Sequence, residues 1–300
     1  MTSGAEGARP ASAGRAPANS LPASPDPPGQ PDGRGQFDGP VLRLEGIGKH
    51  FGPVQALTDI NLDIPPGQVT ALVGDNGAGK TTLIKCIAGI SPPSEGQILW
   101  QGRPVQIHDP KHATQLGIAT VYQDLALADN LDIVQNMLLG HEYLRHGLLD
   151  EISMEKAARK TLADLRVTTV RSVRQPVGSL SGGQRQAVAV ARAVMQEAKL
   201  VLFDEPTAAL GVSQTEQVLG LIDRLAKSGH AVIVISHNLN DVFQVADRVA
   251  VLYLGRLAAV GPAADFDRTS VVDLMTTGVT SRQINGDGAS SRSSASGAEG

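Results

Sequence analysis

The chain has 300 residues, a formal net charge of −4, 41% hydrophobic residues and one cysteine, Cys86. That balance supplies no bulk basic field for nucleic acid, and a lone cysteine excludes an internal disulfide and suits a reducing compartment. No segment approaches the roughly 18 consecutive apolar residues needed to cross a bilayer, so any membrane-spanning pathway has to come from another polypeptide.

Residues 1–38 are mostly Ala, Gly, Pro and Ser. They cannot bury a core and they lack the apolar h-region of a secretory signal, so a disordered tail is expected. Residues 280–300 are rich in Ser, Gly and Ala, and a second disordered tail is expected there. The span 39–279 reads as one domain with enough Val, Leu and Ile for a substantial core.

In chain order, Gln68-Val69-Thr70-Ala71-Leu72-Val73 reads as a strand. It runs into Gly74-Asp75-Asn76-Gly77-Ala78-Gly79-Lys80-Thr81, which fits the phosphate-loop pattern G-x-x-x-x-G-K-[ST]. Glycines at 74, 77 and 79 permit close backbone approach, so consecutive N–H groups can face phosphate oxygens. Lys80 brings a compact cation to the phosphates, and the Thr81 hydroxyl can ligate Mg²⁺. Leu83, Cys86, Ile87 and Ile90 then recur at helical spacing, which predicts a helix whose N-terminus favours an anion. His108 and His112 have i, i+4 spacing, but Pro110 between them argues against a shared helix, and they read as surface residues.

The stretch from about 125 to 179 lacks strand runs. Its spacing at Leu131, Val134 and Leu138, then at Ala158, Leu162 and Leu165, predicts a helical subdomain. A second glycine-rich turn follows, Leu180-Ser181-Gly182-Gly183-Gln184. Ser181 is the expected N-cap of a helix whose stripe is Ala187, Val190, Ala191 and Val194, with Arg185 and Arg192 elsewhere on its surface. The Ser181 hydroxyl and the Gly182 and Gly183 amides can face an anion, but within one chain that anion is too far from Lys80 to be the same phosphate.

Leu200-Val201-Leu202-Phe203 is too apolar and too short for anything but a buried strand, and it ends in Asp204-Glu205. One carboxylate there can hold Mg²⁺ while its neighbour orients or deprotonates water. A helix is predicted from Ser213, with Glu216 completing a capping box, a stripe of Val218, Leu221, Ile222 and Leu225, and Gly229 at its end. The strand Ala231–Ile235 comes next. Alternating strands and helices argue an α/β fold with a mainly parallel sheet.

The three motifs in this order resemble those of the ATP-binding subunits of ABC transporters, whose hallmark is L-S-G-G-Q, and the resemblance runs from near Val41 to near Gly278. It implies a P-loop core with an N-terminal antiparallel β subdomain and an inserted helical subdomain. It also implies Mg²⁺-dependent ATP hydrolysis, with ATP held by Gly74 to Lys80, Thr81 and Thr82. By the same resemblance Gln123 is the glutamine that contacts Mg²⁺ and the attacking water, Asp204 a metal ligand, and Glu205 the group that activates water. His237 is the switch histidine on the γ-phosphate, and Phe51 the aromatic that stacks on adenine, although Phe51 also reads as a core aromatic. In the family two such domains pair head to tail, so Ser181, Gly182, Gly183 and Gln184 of one copy close on the γ-phosphate held by the other.

The pieces Gly74–Lys85, Asp204–Gly211 and Ser236–Ala259, and the ending Ser270–Thr276, are similar to ATPases of simple-sugar importers of the ribose, xylose and fructose type. Such a system implies integral-membrane permease subunits, a second copy of this chain, an extracytoplasmic sugar-binding protein and no nucleic acid. The subunit would sit on the cytoplasmic face of the membrane, with Asp124 to about Asn136 against the permease. Two departures stand out: the chain has one cassette where many of that group have two, and Gly211 replaces the aspartate usual in the family at large. An importer for an amino acid, metal or lipid, or a non-transport ABC protein, remains the alternative.

Overall fold

The computed structural model describes residues 38–279. The expected tails lie outside those residues, apart from Asp38.

The strands are β1 (Leu42–Phe51), β2 (Val54–Ile64), β3 (Val69–Gly74), β4 (Glu95–Trp100), β5 (Arg103–Val105), β6 (Ile118–Val121), β7 (Leu144–Arg145), β8 (Leu148–Leu149), β9 (Leu200–Asp204), β10 (Ala231–Ile235), β11 (Arg248–Tyr253) and β12 (Arg256–Pro262). The helices are α1 (Lys80–Ile87), α2 (Pro110–Leu116), α3 (Ile133–Leu138), α4 (Glu151–Asp164), α5 (Gly182–Met195), α6 (Val212–Lys227), α7 (Leu239–Val245) and α8 (Arg268–Thr277).

The main sheet has the order β12-β11-β3-β10-β9-β6 and is parallel except for β12. A second sheet, β2-β1-β4-β5, is antiparallel throughout. Every residue of β3 and β10 is buried, as is β9 up to Phe203. Parallel strands covered on both faces need such unbroken apolar runs, which explains Val69–Gly74 and Leu200–Phe203. Side chains alternate along β9: Leu200 and Leu202 pack toward α1 and the antiparallel sheet, Val201 and Phe203 toward α5 and α6. Each such side chain, fully buried, stabilises the fold by about 1.5–3 kcal/mol in transfer terms.

Register sets up the site. Ile235 is paired with Leu72 of β3 on one side and with Asp204 of β9 on the other, while Phe203 faces Val121 of β6. The carboxyl ends of four parallel strands therefore line up on one edge, and the residues that follow them, Asp75, Ser236, Glu205 and Tyr122, emerge together. That is the edge at which parallel α/β sheets bind ligands.

Several expectations need correction. Helix α1 stops at Ile87: Gly89 takes φ +74, and the Gly89 and Ile90 amides bond back to Cys86 and Lys85, so Ile90 falls outside the stripe and is 46% exposed. Helix α6 starts at Val212 with Gly211 as N-cap, so Ser213 lies inside the first turn and the Ser213–Glu216 box is not the cap. The Gln214 and Thr215 amides bond to the Gly211 carbonyl instead. The stretch expected to lack strands contains the hairpin β7–β8, made possible by His146 at φ +53 and Gly147 at φ +81, the conformation a two-residue turn requires. Its other elements are helical: α3 is closed by an Asp132–Gln135 capping box and α4 by Asp150. His108 lies outside α2 as Pro110 dictates, although its ring stacks on His112 with centroids 5.7 Å apart.

Candidate functional site

The phosphate-binding pattern folds as strand, loop and helix. A Cβ at Gly74 would fall 2.5 Å from the Leu252 carbonyl oxygen, and one at Gly79, whose φ is +106, 2.8 Å from Leu57 Cδ2. Both positions therefore require glycine. Gly77, at φ +82, has open space in front of it. Gly79 caps α1 without a side chain, which leaves the first-turn amides to an anion.

Residues Asp75 to Thr82 line a cavity of about 380 Å³, together with Val54, Gln55, Ala56, Leu254 and Gly255. Sequence reasoning missed those five. Leu254 and Gly255 form the two-residue turn of the β11–β12 hairpin, both at positive φ, and the Gly255 amide donates to the Ala78 carbonyl at 2.9 Å. A glycine between two strands was the one local signal of a turn there; nothing in the sequence tied that turn to the phosphate loop.

Lys80 Nζ donates to the carbonyls of Gly74 at 2.6 Å and Asp75 at 3.0 Å. Burial pushes its pKa below the usual lysine value, against the pull of Glu205, Asp75 and Asp204. The Asp204 carboxyl is pushed up, first by burial and then by Glu205, with Lys80 and Lys85 opposing. Lys80 and Asp204 thus each feel the other, and Glu205, across the strand ends. Glu205 has φ +52, and its amide donates to the Ile235 carbonyl at 3.0 Å. Its Oε2 lies 2.8 Å from Nδ1 of His237 and accepts a longer bond, 3.4 Å, from the His237 amide. The His237 ring is otherwise largely exposed.

Gln123 and Asp124, just beyond the end of β6, are exposed, as is Thr81, while Thr82 is half-buried. Phe51 is 50% exposed, which rules out the core-aromatic reading. It is paired with Val54 of the cavity wall, and Lys49 Nζ sits 5.1 Å from its ring centroid. Residues Ser181 to Gln184 do not line the cavity. Ser181 caps α5 in a reciprocal box with Gln184, and the Gln184 side chain also donates to the Thr169 carbonyl at 2.6 Å. Gly211 has ordinary φ −73 and nothing within 4 Å of a Cβ, so the backbone does not require glycine there. Among the described residues no cluster of three or more His, Cys, Asp or Glu is spaced to hold a metal ion, and no helix is long and apolar enough to cross a membrane.

Comparison with known proteins agrees with this geometry. The family model described as ABC transporter matches residues 57–208. The fructose import ATP-binding protein of Rhizobium meliloti is 45% identical over 244 residues, covering 79% of this chain and 94% of that protein. The xylose/arabinose import ATP-binding protein of Sulfolobus acidocaldarius is 41% identical over 236 residues, with the same coverage of each. A ribose import ATP-binding protein of Rubrobacter xylanophilus is 39% identical, but the match covers only 47% of it, so this chain spans about half that relative's length. Among solved structures, an ATP-binding cassette of an ABC transporter in its ADP conformation superposes with TM-score 0.67 at 27% identity, over 79% of this chain and 95% of that one. A dimeric cassette in a post-hydrolysis state, bound to ADP and Pi, gives TM-score 0.61 at 25% identity, over 74% and 98%. On the strength of the family match, these relatives and the phosphate loop facing Asp204 and Glu205, the chain belongs to the ABC transporter family and is one of its ATP-hydrolysing cassettes.

Proposed function

We propose that the chain powers the import of a simple sugar, working as a head-to-tail pair of copies beneath separate permease subunits on the cytoplasmic face of the membrane. An extracytoplasmic sugar-binding protein completes the system. The observation that carries the hydrolytic part is the convergence of Lys80, Asp204, Glu205 and His237 at one sheet edge. The sugar assignment is supported by the fructose and xylose/arabinose import relatives, which this chain matches over 94% of their length.

In this reading the amides of Gly77 to Thr81 and the Lys80 ammonium take the β- and γ-phosphates, exchanging the Gly74 and Asp75 carbonyls for phosphate oxygens at Lys80 Nζ. Phe51 and Val54 offer apolar surface to the base. Glu205 takes a proton from the attacking water at Oε1 or Oε2. When Nδ1 of His237 carries its proton it donates to Oε2 and, with the His237 amide, fixes the carboxylate against the strand end. Thr81, Asp204 and Gln123 offer a hydroxyl, a carboxylate and an amide oxygen, the donor set of a hard divalent cation. Burial first, and Glu205 second, raise the pKa of Asp204, and such a cation would favour its charged form against both. Mg²⁺ bound there supplies neutralisation of phosphate charge.

The signature turn presents the Gly182 and Gly183 amides at the start of the fourteen-residue helix α5. With those groups outside the Lys80 cavity, a second copy is the source of the signature at each phosphate. Copurification of the chain with its membrane partners, followed by uptake assays with a panel of sugars, amino acids and metals, tests the assignment. A partner that moves amino acids or metals would overturn the sugar reading alone.

A further inference from the structure

A carboxylate outside the motifs is buried between the two catalytic segments. Asp241, in the first turn of α7, is only 7% exposed. Its Oδ2 accepts from the Thr207 hydroxyl at 2.6 Å, and its Oδ1 accepts from the Asn238 side-chain amide at 2.9 Å. Thr207 follows Glu205 by two residues, and Asn238 follows His237 by one. One buried side chain therefore bridges the segment carrying the proposed base to the segment carrying the switch histidine. A buried charge costs stability unless it is fully hydrogen-bonded, so a hydrophobic residue would serve packing better than this one does.

The Thr207 side of the bridge is under strain. Glu205 at φ +52 and Ala209 at φ +61 are both non-glycine residues in the left-handed region, and Thr207 sits midway between them. Such conformations persist only where surrounding contacts over-determine them. At the far end of the same segment Leu210 is so close to Gly182 that a Cβ there would lie 2.7 Å from Leu210 Cδ2. Residues 205–210 thus run from the catalytic carboxylate to the signature turn, and the Thr207–Asp241 bond is a second side-chain tether to the switch segment, beside the Glu205–His237 contact. The Asn238 arm is braced in turn: its side-chain Oδ1 accepts from the Asn240 backbone amide, and its backbone amide donates to the Ser236 hydroxyl.

We propose that Asp241 is a positioning residue for hydrolysis, holding Glu205 and His237 in mutual register through Thr207 and Asn238. The inference rests on the reading of Glu205 as the base. It is tested on the full-length protein by steady-state ATPase assays of Asp241→Ala, Thr207→Val, the double variant and Thr207→Ser, with Glu205→Gln alongside and nucleotide affinity measured separately. Thr207→Val keeps the side-chain shape, so it reports even where Asp241→Ala fails to fold. Each single variant is expected to lower kcat about tenfold while KM and ATP affinity move less than about twofold. The double variant should be no slower than the slower single one, because both remove the same bond. Thr207→Ser, which keeps the hydroxyl, should retain at least about half of native kcat. Additive losses, or a kcat within twofold of native in Thr207→Val while Glu205→Gln is inactive, would overturn the positioning role and leave the hydrolytic reading intact. Native turnover in Glu205→Gln would instead overturn the base assignment and the positioning role with it.

Discussion

Glu205 Oε2 and His237 Nδ1 meet at 2.8 Å although the residues are 32 apart in sequence. The contact exists because β9 and β10 are neighbours with Asp204 paired to Ile235, so the next residues of both strands leave the sheet at the same level. If Glu205 is the base, Glu205→Gln keeps the shape and the hydrogen-bonding capacity but loses the proton acceptor. Hydrolysis is expected to fall at least about a hundredfold with ATP binding retained, and single-turnover assays with a separate binding titration check both halves.

Lys80 answers to two opposing demands. Burial lowers its pKa, so in the folded chain its charged form is disfavoured relative to the unfolded chain, and below the folded pKa that cost to stability is present in full. As pH rises from the folded pKa to the normal lysine value the cost is relieved. Lys80→Met should therefore weaken ATP binding while leaving the thermal midpoint of the nucleotide-free protein at or above native. A lower midpoint at neutral pH would show that the ammonium stabilises the loop on balance.

Because the Ser181 turn does not line the Lys80 cavity, two damaged copies should complement each other. Mixing Lys80→Ala chains with Ser181→Ala chains should form heterodimers with one intact composite site and one doubly damaged site. Activity above the sum of the two separate preparations is expected. Hydrolysis that stays linear in protein concentration down to a demonstrably monomeric sample would rule out the two-copy site.

The phosphate loop was legible because its glycines encode geometry directly: Gly74 and Gly79 stand where any Cβ would collide. Three central strands, β3, β9 and β10, were legible because burial on both faces forces unbroken apolar runs, as in Leu200–Phe203. Helix ends were less so. Gly211 caps α6 through its carbonyl alone, which leaves no side-chain signature, and Ser213 beside Glu216 offered a false one. The Thr207–Asp241 bond and the Leu254–Gly255 wall of the cavity depend on tertiary placement, and no local pattern announces either.

Asn136 revises the reading of Asp124 to Asn136 as one contact surface. Its side chain is fully buried: Oδ1 accepts from the Ala128 amide, and Nδ2 donates to the Ala128, Leu131 and Asp132 carbonyls. It holds the loop in shape from within. Asn136→Ala should cost about 1–3 kcal/mol by leaving buried backbone groups without partners, measured as a fall in denaturation midpoint.

Asp124, Asp129 and Asn130 are exposed polar members of that loop and are the proposed contacts to a permease. Asp129 also pairs with Arg185 at 3.2 Å, a solvent-exposed bridge worth about 0–1 kcal/mol, so its reversal should leave the fold intact. Asp129→Lys is expected to reduce permease copurification with ATP binding unchanged. Copurification unaffected across a scan of these three positions would move the docking site elsewhere.

The most direct test of the account is transport itself. The chain, its copurified permease and the sugar-binding protein are placed in liposomes with ATP on the side of the cassette, and uptake of radiolabelled simple sugars is followed with native and Glu205→Gln subunits. The account predicts accumulation of a sugar that requires ATP, stops in Glu205→Gln and is absent for amino acids and metal ions. Sugar uptake that proceeds equally with Glu205→Gln, or ATP-driven uptake of a different class of solute, would contradict it.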